Sequence, residues 1–172
     1  MRTLSIDGLV LEPQVATHAD EMFAVLSDPA IYEHENEPPP SVEWLRARFK
    51  LLERRASADG RERWLNWVVR APGCGAVGYV QATVRPDCGA SIAYEFSSAY
   101  WGRGFASKAV RAMIEEIASA YQVRNIVAIL KATNLRSHRF LVRLGFVAAP
   151  PQAHSEYSVE PDELLMFLQS QP

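Results

Sequence analysis

The chain has 172 residues, 48% apolar and 22% charged, and 18 Lys plus Arg against 20 Asp plus Glu leave a formal net charge of −2. That balance excludes a disordered chain and a protein held to nucleic acid by bulk positive charge, and the length suits a single domain, 1–172, with a sizeable core. Cys74 and Cys88 make neither a disulfide scaffold nor a zinc site, MRTLSIDGLVLEP is broken by Asp7 and Gly8, and no run nears the roughly 20 apolar residues of a membrane span, so a soluble cytoplasmic protein is expected.

Residues 3–11 (TLSIDGLVL) read as a strand bent at Gly8 and ended by Pro13. A short helix over 17–26 carries Met22, Phe23, Val25 and Leu26 and stops at Asp28-Pro29. Three successive prolines make 31–40 (IYEHENEPPP) a loop, after which Ser41 caps a helix over 42–54 with Trp44, Leu45, Phe49 and Leu52 as its stripe. Strands at 64–70, 76–84 and 89–96 follow, joined by APGCG and Arg85-Pro86-Asp87 turns.

The strongest helical periodicity covers 106–121, with Ala106, Val110, Met113, Ile114, Ile117 and Tyr121 inward and Ser107, Lys108, Arg111, Glu115, Glu116 and Ser119 outward. A strand over 124–130, a helix over 135–144 stopped at Gly145, and strands at 146–148, 154–159 and 163–169 complete the order. The expected class is α/β (α+β): an antiparallel meander extended by crossovers into one mixed sheet.

The most informative segment is YEFSSAYWGRGFASKAV (94–110), where a strand leads through Gly-Arg-Gly into a helix. Gly102 and Gly104 open backbone conformations closed to other residues. The first helical turn offers free N–H groups and the positive end of the dipole, which suits a phosphate or pyrophosphate. No Gly-Lys-Ser/Thr follows Gly104 and the third dinucleotide-binding glycine is missing, so neither of those motifs is present. Taken alone, the segment is equally a tight loop with no ligand. NLRSHRFLVRLGF (134–146) adds Asn134 at a strand-to-helix junction, either an N-cap or an amide partner for an amide-rich ligand, or both.

These stretches, with LVLEP at 9–13, resemble the GNAT superfamily of acyl-coenzyme-A-dependent N-acetyltransferases, nearest the branch of the ribosomal-protein alanine N-acetyltransferases. The element order agrees over nearly the whole chain. In the family pattern Gln/Arg-x-x-Gly-x-Gly/Ala, Gly104 and Ala106 match and Trp101 stands in the first position, as is common in that branch. The resemblance implies a mostly antiparallel sheet flanked by helices, with one splayed parallel strand pair, and acetyl-CoA as acetyl donor. It implies that backbone amides of Gly102, Arg103, Gly104, Phe105, Ala106 and Ser107 hold the pyrophosphate. The main chain near Phe96 would pair with the pantetheine arm, and Asn134 would reach it from the other side. Arg103 is a further phosphate partner or a solvated arginine. A homodimer is expected from family habit alone.

The acceptor is expected to be a primary amine, on a protein N-terminus or a small molecule, attacking the thioester directly in a ternary complex. Such a transfer needs a neutral amine, a polarised carbonyl and a leaving thiolate, but no protein nucleophile. Many family members protonate the thiolate with a tyrosine seven residues after the asparagine; here that residue is Leu141. Ser137 is the substitute acid, or else an ordinary first-turn serine. Glu95 and Glu156, in strands beside the cleft, are the candidate bases, or else ordinary strand carboxylates. Glu33, Glu35 and Glu37 around His34 fit no metal spacing; they form a plain polar loop, or, on the acceptor side that the resemblance implies, favour a cationic acceptor. Arg136, Arg139 and Arg143 form a basic helix face, solvated or reaching a cofactor phosphate. The rival from another class is a non-catalytic acyl-CoA-binding module, which the missing tyrosine keeps open.

Overall fold

A computed structural model describes residues 1–34, 36–154 and 156–169. Strands β1 (Leu4–Ile6), β2 (Leu9–Pro13), β3 (Arg63–Ala71), β4 (Gly75–Val84), β5 (Gly89–Phe96), β6 (Asn125–Lys131), β7 (Val147–Ala148) and β8 (Glu163–Gln169) form one sheet in the order β1-β2-β3-β4-β5-β6-β8-β7. Helices α1 (Ala19–Leu26), α2 (Val42–Leu52), α3 (Phe105–Tyr121) and α4 (Leu135–Arg143) flank it. Every neighbouring pair is antiparallel except β5–β6. This is the expected mixed class, with its single parallel pair.

Alternation along β3 sorts the core into two layers. Leu65, Trp67, Val69 and Ala71 join Val110, Met113, Ile117, Ile126 and Phe140 in the larger cluster, under α3 and α4. Val68 points the other way and packs with Met22, Leu26, Leu45 and Phe49 of α1 and α2. Trp67 is fully buried, and its indole N–H donates to the Arg2 carbonyl at 2.9 Å. No helix among the described residues is long and apolar enough to cross a membrane.

Four expectations change. The first strand is a hairpin: Asp7 (φ 45°) and Gly8 (φ 83°) form a two-residue turn, so β1 doubles back onto β2. Glu116 faces inward, buried and paired with Arg2 at 2.7 Å. Trp44 is 47% exposed, with the Arg48 guanidinium over its ring. No strand forms at 154–159: His154 and residues 156–158 are turn, and Ser155 lies outside the described residues.

Candidate functional site

The parallel pair is short. β5 and β6 pair through Gly89↔Asn125, Ala90↔Ile126 and Ser91↔Val127. Beyond them β5 stays on β4 as far as Gly78↔Phe96, while β6 stays on β8 as far as Lys131↔Glu163. The strands therefore part, and a gap opens between them. Ser97 N–H donates to Val77 and Arg85 N–H to Gly89, so odd positions of β5 bond β4. By alternation, Ile92, Tyr94 and Phe96 turn their amides and carbonyls to the gap. Ala132 N–H donates to Asp162, which likewise aims Ile129 of β6 at the gap. The spacing is that of a strand edge, ready for an extended ligand carrying amides.

A groove of about 480 Å³ runs over this gap, lined by positions 31, 36, 92–96, 100–102, 104–107, 128–130, 134, 136, 137, 140, 141 and 143. Of the expected cofactor residues it brings together Phe96, Gly102, Gly104, Phe105, Ala106, Ser107 and Asn134. Arg103 is not among the lining; its guanidinium sits over the Tyr100 ring, 5.4 Å from the centroid.

The groove meets the start of α3. Gly104 is the N-cap, in left-handed conformation (φ 79°), with no side-chain cap and no acid in the first turn. The first intrahelical bond is Lys108 N–H to Gly104 O at 3.1 Å, so the N–H groups of 105–107 precede the ladder. Gly102 also has positive φ, 76°. A Cβ on either glycine would meet nothing within 4 Å. Backbone conformation, rather than internal crowding, requires glycine there, and the space before the helix start is open. An uncapped 17-residue helix facing an open groove fits a pyrophosphate.

Trp101 locks this corner. Its indole N–H donates to the Phe96 carbonyl at 2.8 Å, and the Arg136 guanidinium stacks 3.6 Å from its ring centroid. Arg136 also reaches Glu33 Oε2 at 3.3 Å. Arg136 and Arg143 line the groove, whereas Arg139 does not.

Asn134 caps α4: its Oδ1 accepts the Ser137 N–H at 3.0 Å. Ser137 Oγ lies 2.8 Å from Tyr94 Oη, and the Tyr94 ring packs on Phe140 with centroids 4.8 Å apart. Leu141 is 1% exposed. Sequence reasoning does not single out Tyr94, because an aromatic in a strand reads first as core.

Glu95 occupies the opposite face of β5 from Tyr94 and Phe96. Its carboxylate accepts a long 3.5 Å bond from Tyr32 Oη and a bond from Tyr79. Burial first, and then the Glu95 charge, push both phenols above the usual tyrosine range, so each stays a neutral donor. Neither tyrosine announces itself in sequence: sheet register sets Tyr79 opposite the carboxylate, and the turn after α1 brings Tyr32 to it.

The loop after α1 closes over the same region. Asp28 Oδ2 accepts the Ser98 N–H at 2.6 Å, and the His34 ring pairs with Thr133 Oγ1 at 3.3 Å. Glu33 is already engaged by Arg136, and Glu35 lies outside the described residues. No group of residues suited to a metal ion occurs among the described residues.

Glu156 is elsewhere. It lines a second cavity of about 310 Å³ with Arg85, Gly89, Asn125, Tyr157 and Phe167. That cavity lies where β5 and β6 begin, and Glu95 lies where β5 ends. The strand expected to carry Glu156 beside the cleft does not form.

A family model described as "Acetyltransferase (GNAT) domain" matches residues 8–147. The chain is 25% identical over 150 residues to the uncharacterized N-acetyltransferase YoaA of Bacillus subtilis (strain 168), covering 83% of this chain and 81% of that one. Among solved structures, the ribosomal L7/L12 alpha-N-protein acetyltransferase RimL in complex with coenzyme A superposes with a TM-score of 0.80. Identity is 17%, and 97% of each chain is covered. The microcin C7 self-immunity acetyltransferase MccE, in complex with acetyl-CoA and AMP, gives 0.79 at 15% identity, covering 96% of this chain and 94% of that one. At those identities the likeness shows a shared fold.

Proposed function

The chain belongs to the GNAT acetyltransferase family and is an acetyl-CoA-dependent N-acetyltransferase; from the groove we propose which residues carry the transfer and what kind of acceptor it takes. One observation supports the reading above all: the splayed β5–β6 pair ends at the uncapped start of α3. An extended amide-bearing arm and a pyrophosphate belong to one molecule, and here a strand edge and an anion site adjoin.

In this reading the amides of Gly102 to Ser107 hold the pyrophosphate, and the Arg103 side chain, held over Tyr100, is a further phosphate partner only if it swings from that ring. Tyr94 main-chain groups and the Phe96 amide receive the arm, the Phe96 carbonyl being held by Trp101, and Asn134 offers its Nδ2 donors from the far wall. Glu95 takes the proton of the attacking amine, directly or through water, with Tyr32 and Tyr79 holding its carboxylate in place. Ser137 gives a proton to the departing thiolate. The acceptor is a primary amine, on a protein N-terminus or a small molecule, entering from the Glu95 face and attacking the thioester directly. Glu156 has no part, because it lies at the other end of β5.

Acetyl-CoA at 100 times its Kd should add about 2.7 kcal/mol of stability, or roughly 5–10 °C in Tm for a chain of this size. Free-thiol release is then followed against a panel of amines and N-terminal peptides. Glu95→Gln and Ser137→Ala should each lower turnover at least about tenfold while the thermal shift persists. Absence of any shift at saturating acetyl-CoA refutes the groove assignment. Full turnover in both variants refutes the two proton-transfer roles.

A further inference from the structure

We infer that Tyr94 is a positioning residue for the transfer, a phenol supplied by β5 that aims and recharges the Ser137 hydroxyl. The inference rests on the reading above, in which Ser137 protonates the leaving sulfur.

Ser137 stands near the start of α4 with its amide tied to Asn134, and Tyr94 stands on the facing strand with its ring against Phe140. Both ends of the 2.8 Å Oη–Oγ contact are therefore held by other interactions, and both residues line the groove. A serine hydroxyl has a single proton. If it pointed at Tyr94, none would be available to the groove. A phenol is the stronger acid of the two, so Tyr94 donates and the Ser137 proton is turned outward. Leu141, on the same helix and buried, brings no proton of its own.

The acidities favour the same arrangement. A phenol ordinarily titrates near 10 and an alkyl thiol near 8.5, so the two are close. An alcohol is a far weaker acid than either, and Ser137 alone would be left as an alkoxide. With Tyr94 behind it, the sequence balances. The amine pair forms the N–C bond, the C–S bond breaks and its pair leaves on sulfur. Sulfur takes the Ser137 proton, and Ser137 takes the Tyr94 proton. The phenolate recovers a proton from solvent, into which Glu95 sheds the one it took from the amine.

The test measures free-thiol release from acetyl-CoA, with the best amine of the panel or with water as acceptor. Tyr94→Phe, Ser137→Ala and the double variant are compared, each checked for its acetyl-CoA-induced thermal shift. We expect Tyr94→Phe to lower kcat about 100-fold with the KM for acetyl-CoA within about twofold. The double variant should be no slower than the slower single one, since the two act as a unit. 3-Fluorotyrosine at position 94 keeps a phenol of similar size and should retain turnover. That variant keeps the test decisive if the phenylalanine variant folds poorly. Full turnover in Tyr94→Phe, or losses that multiply in the double variant, overturns the inference and leaves Ser137 standing. Full turnover in Ser137→Ala overturns the underlying assignment instead.

Discussion

Gly104 and Gly73 form a matched pair for testing the anion site. Both have positive φ, 79° and 70°, and a Cβ on either would meet no atom within 4 Å. Placing alanine in left-handed conformation costs about 1–2 kcal/mol at each, which lowers Tm by roughly 2–8 °C for a chain of this size. In that respect the two substitutions are equivalent. They differ in place: Gly104 caps α3 at the groove, and Gly73 sits in the β3–β4 turn. If the pyrophosphate lies against 102–107, Gly104→Ala puts a methyl where the anion approaches, or turns the first N–H groups away. Losing one charge-assisted hydrogen bond costs about 1.5–3 kcal/mol, or roughly 10- to 150-fold in Kd. Calorimetric titration with coenzyme A and thermal melts of both variants decide the matter. The expected pattern is equal destabilisation with weakened binding in Gly104→Ala alone. A Kd within threefold of the parent in Gly104→Ala, or an equal loss in Gly73→Ala, refutes the reasoning.

Two further outcomes follow from the surroundings of the groove. Burial alone would raise the Asp28 carboxyl, but hydrogen bonds from Ser98, Ala30 and Ser97 outweigh it and hold the group below its ordinary 3.8. A depressed folded pKa gives stability that is whole above the unfolded value and lost as pH falls through the folded one. Asp28→Asn should therefore melt below the parent at pH 7, with the gap closing as the pH falls below 3.8; a gap constant with pH refutes this. Gly78 has a different constraint: its Cβ would lie against the Glu95 carbonyl and 2.6 Å from Phe96 Cδ1. Gly78→Ala should cost about 1–3 kcal/mol and raise the KM for acetyl-CoA, since it displaces the end of β5; an unchanged KM is the contrary result.

The parts of the fold legible in sequence were those where local pattern and tertiary packing agree. The periodicity of α3, the Gly145 stop and the β3–β4–β5 meander belong to this group. Asp7-Gly8 is a strong short hairpin signal, yet the apolar residues on both sides read as one bent strand. Residues 156–159 alternate polar with apolar, but 156–158 form a turn, where the Arg85 guanidinium donates to Tyr157 Oη at 3.1 Å. Glu116 reads as an outward charge because its partner Arg2 is 114 positions away. The same limit hides Tyr94, Tyr32 and Tyr79. The proposed cofactor loop announces itself because its chemistry is contiguous, whereas the groups around Ser137 and Glu95 come together from separate strands, a helix and a loop.

Three rungs of parallel pairing are all that bind β5 to β6 within the sheet. On one side of that seam stand five strands, and on the other three. A donor whose arm lies along the gap supplies the missing rungs and closes the sheet from within. Substrate and fold are then parts of one cooperative structure. In the proposed reading the chain alternates through its cycle between a sheet with a seam and a sheet without one, and release of the free thiol form is the step that reopens it.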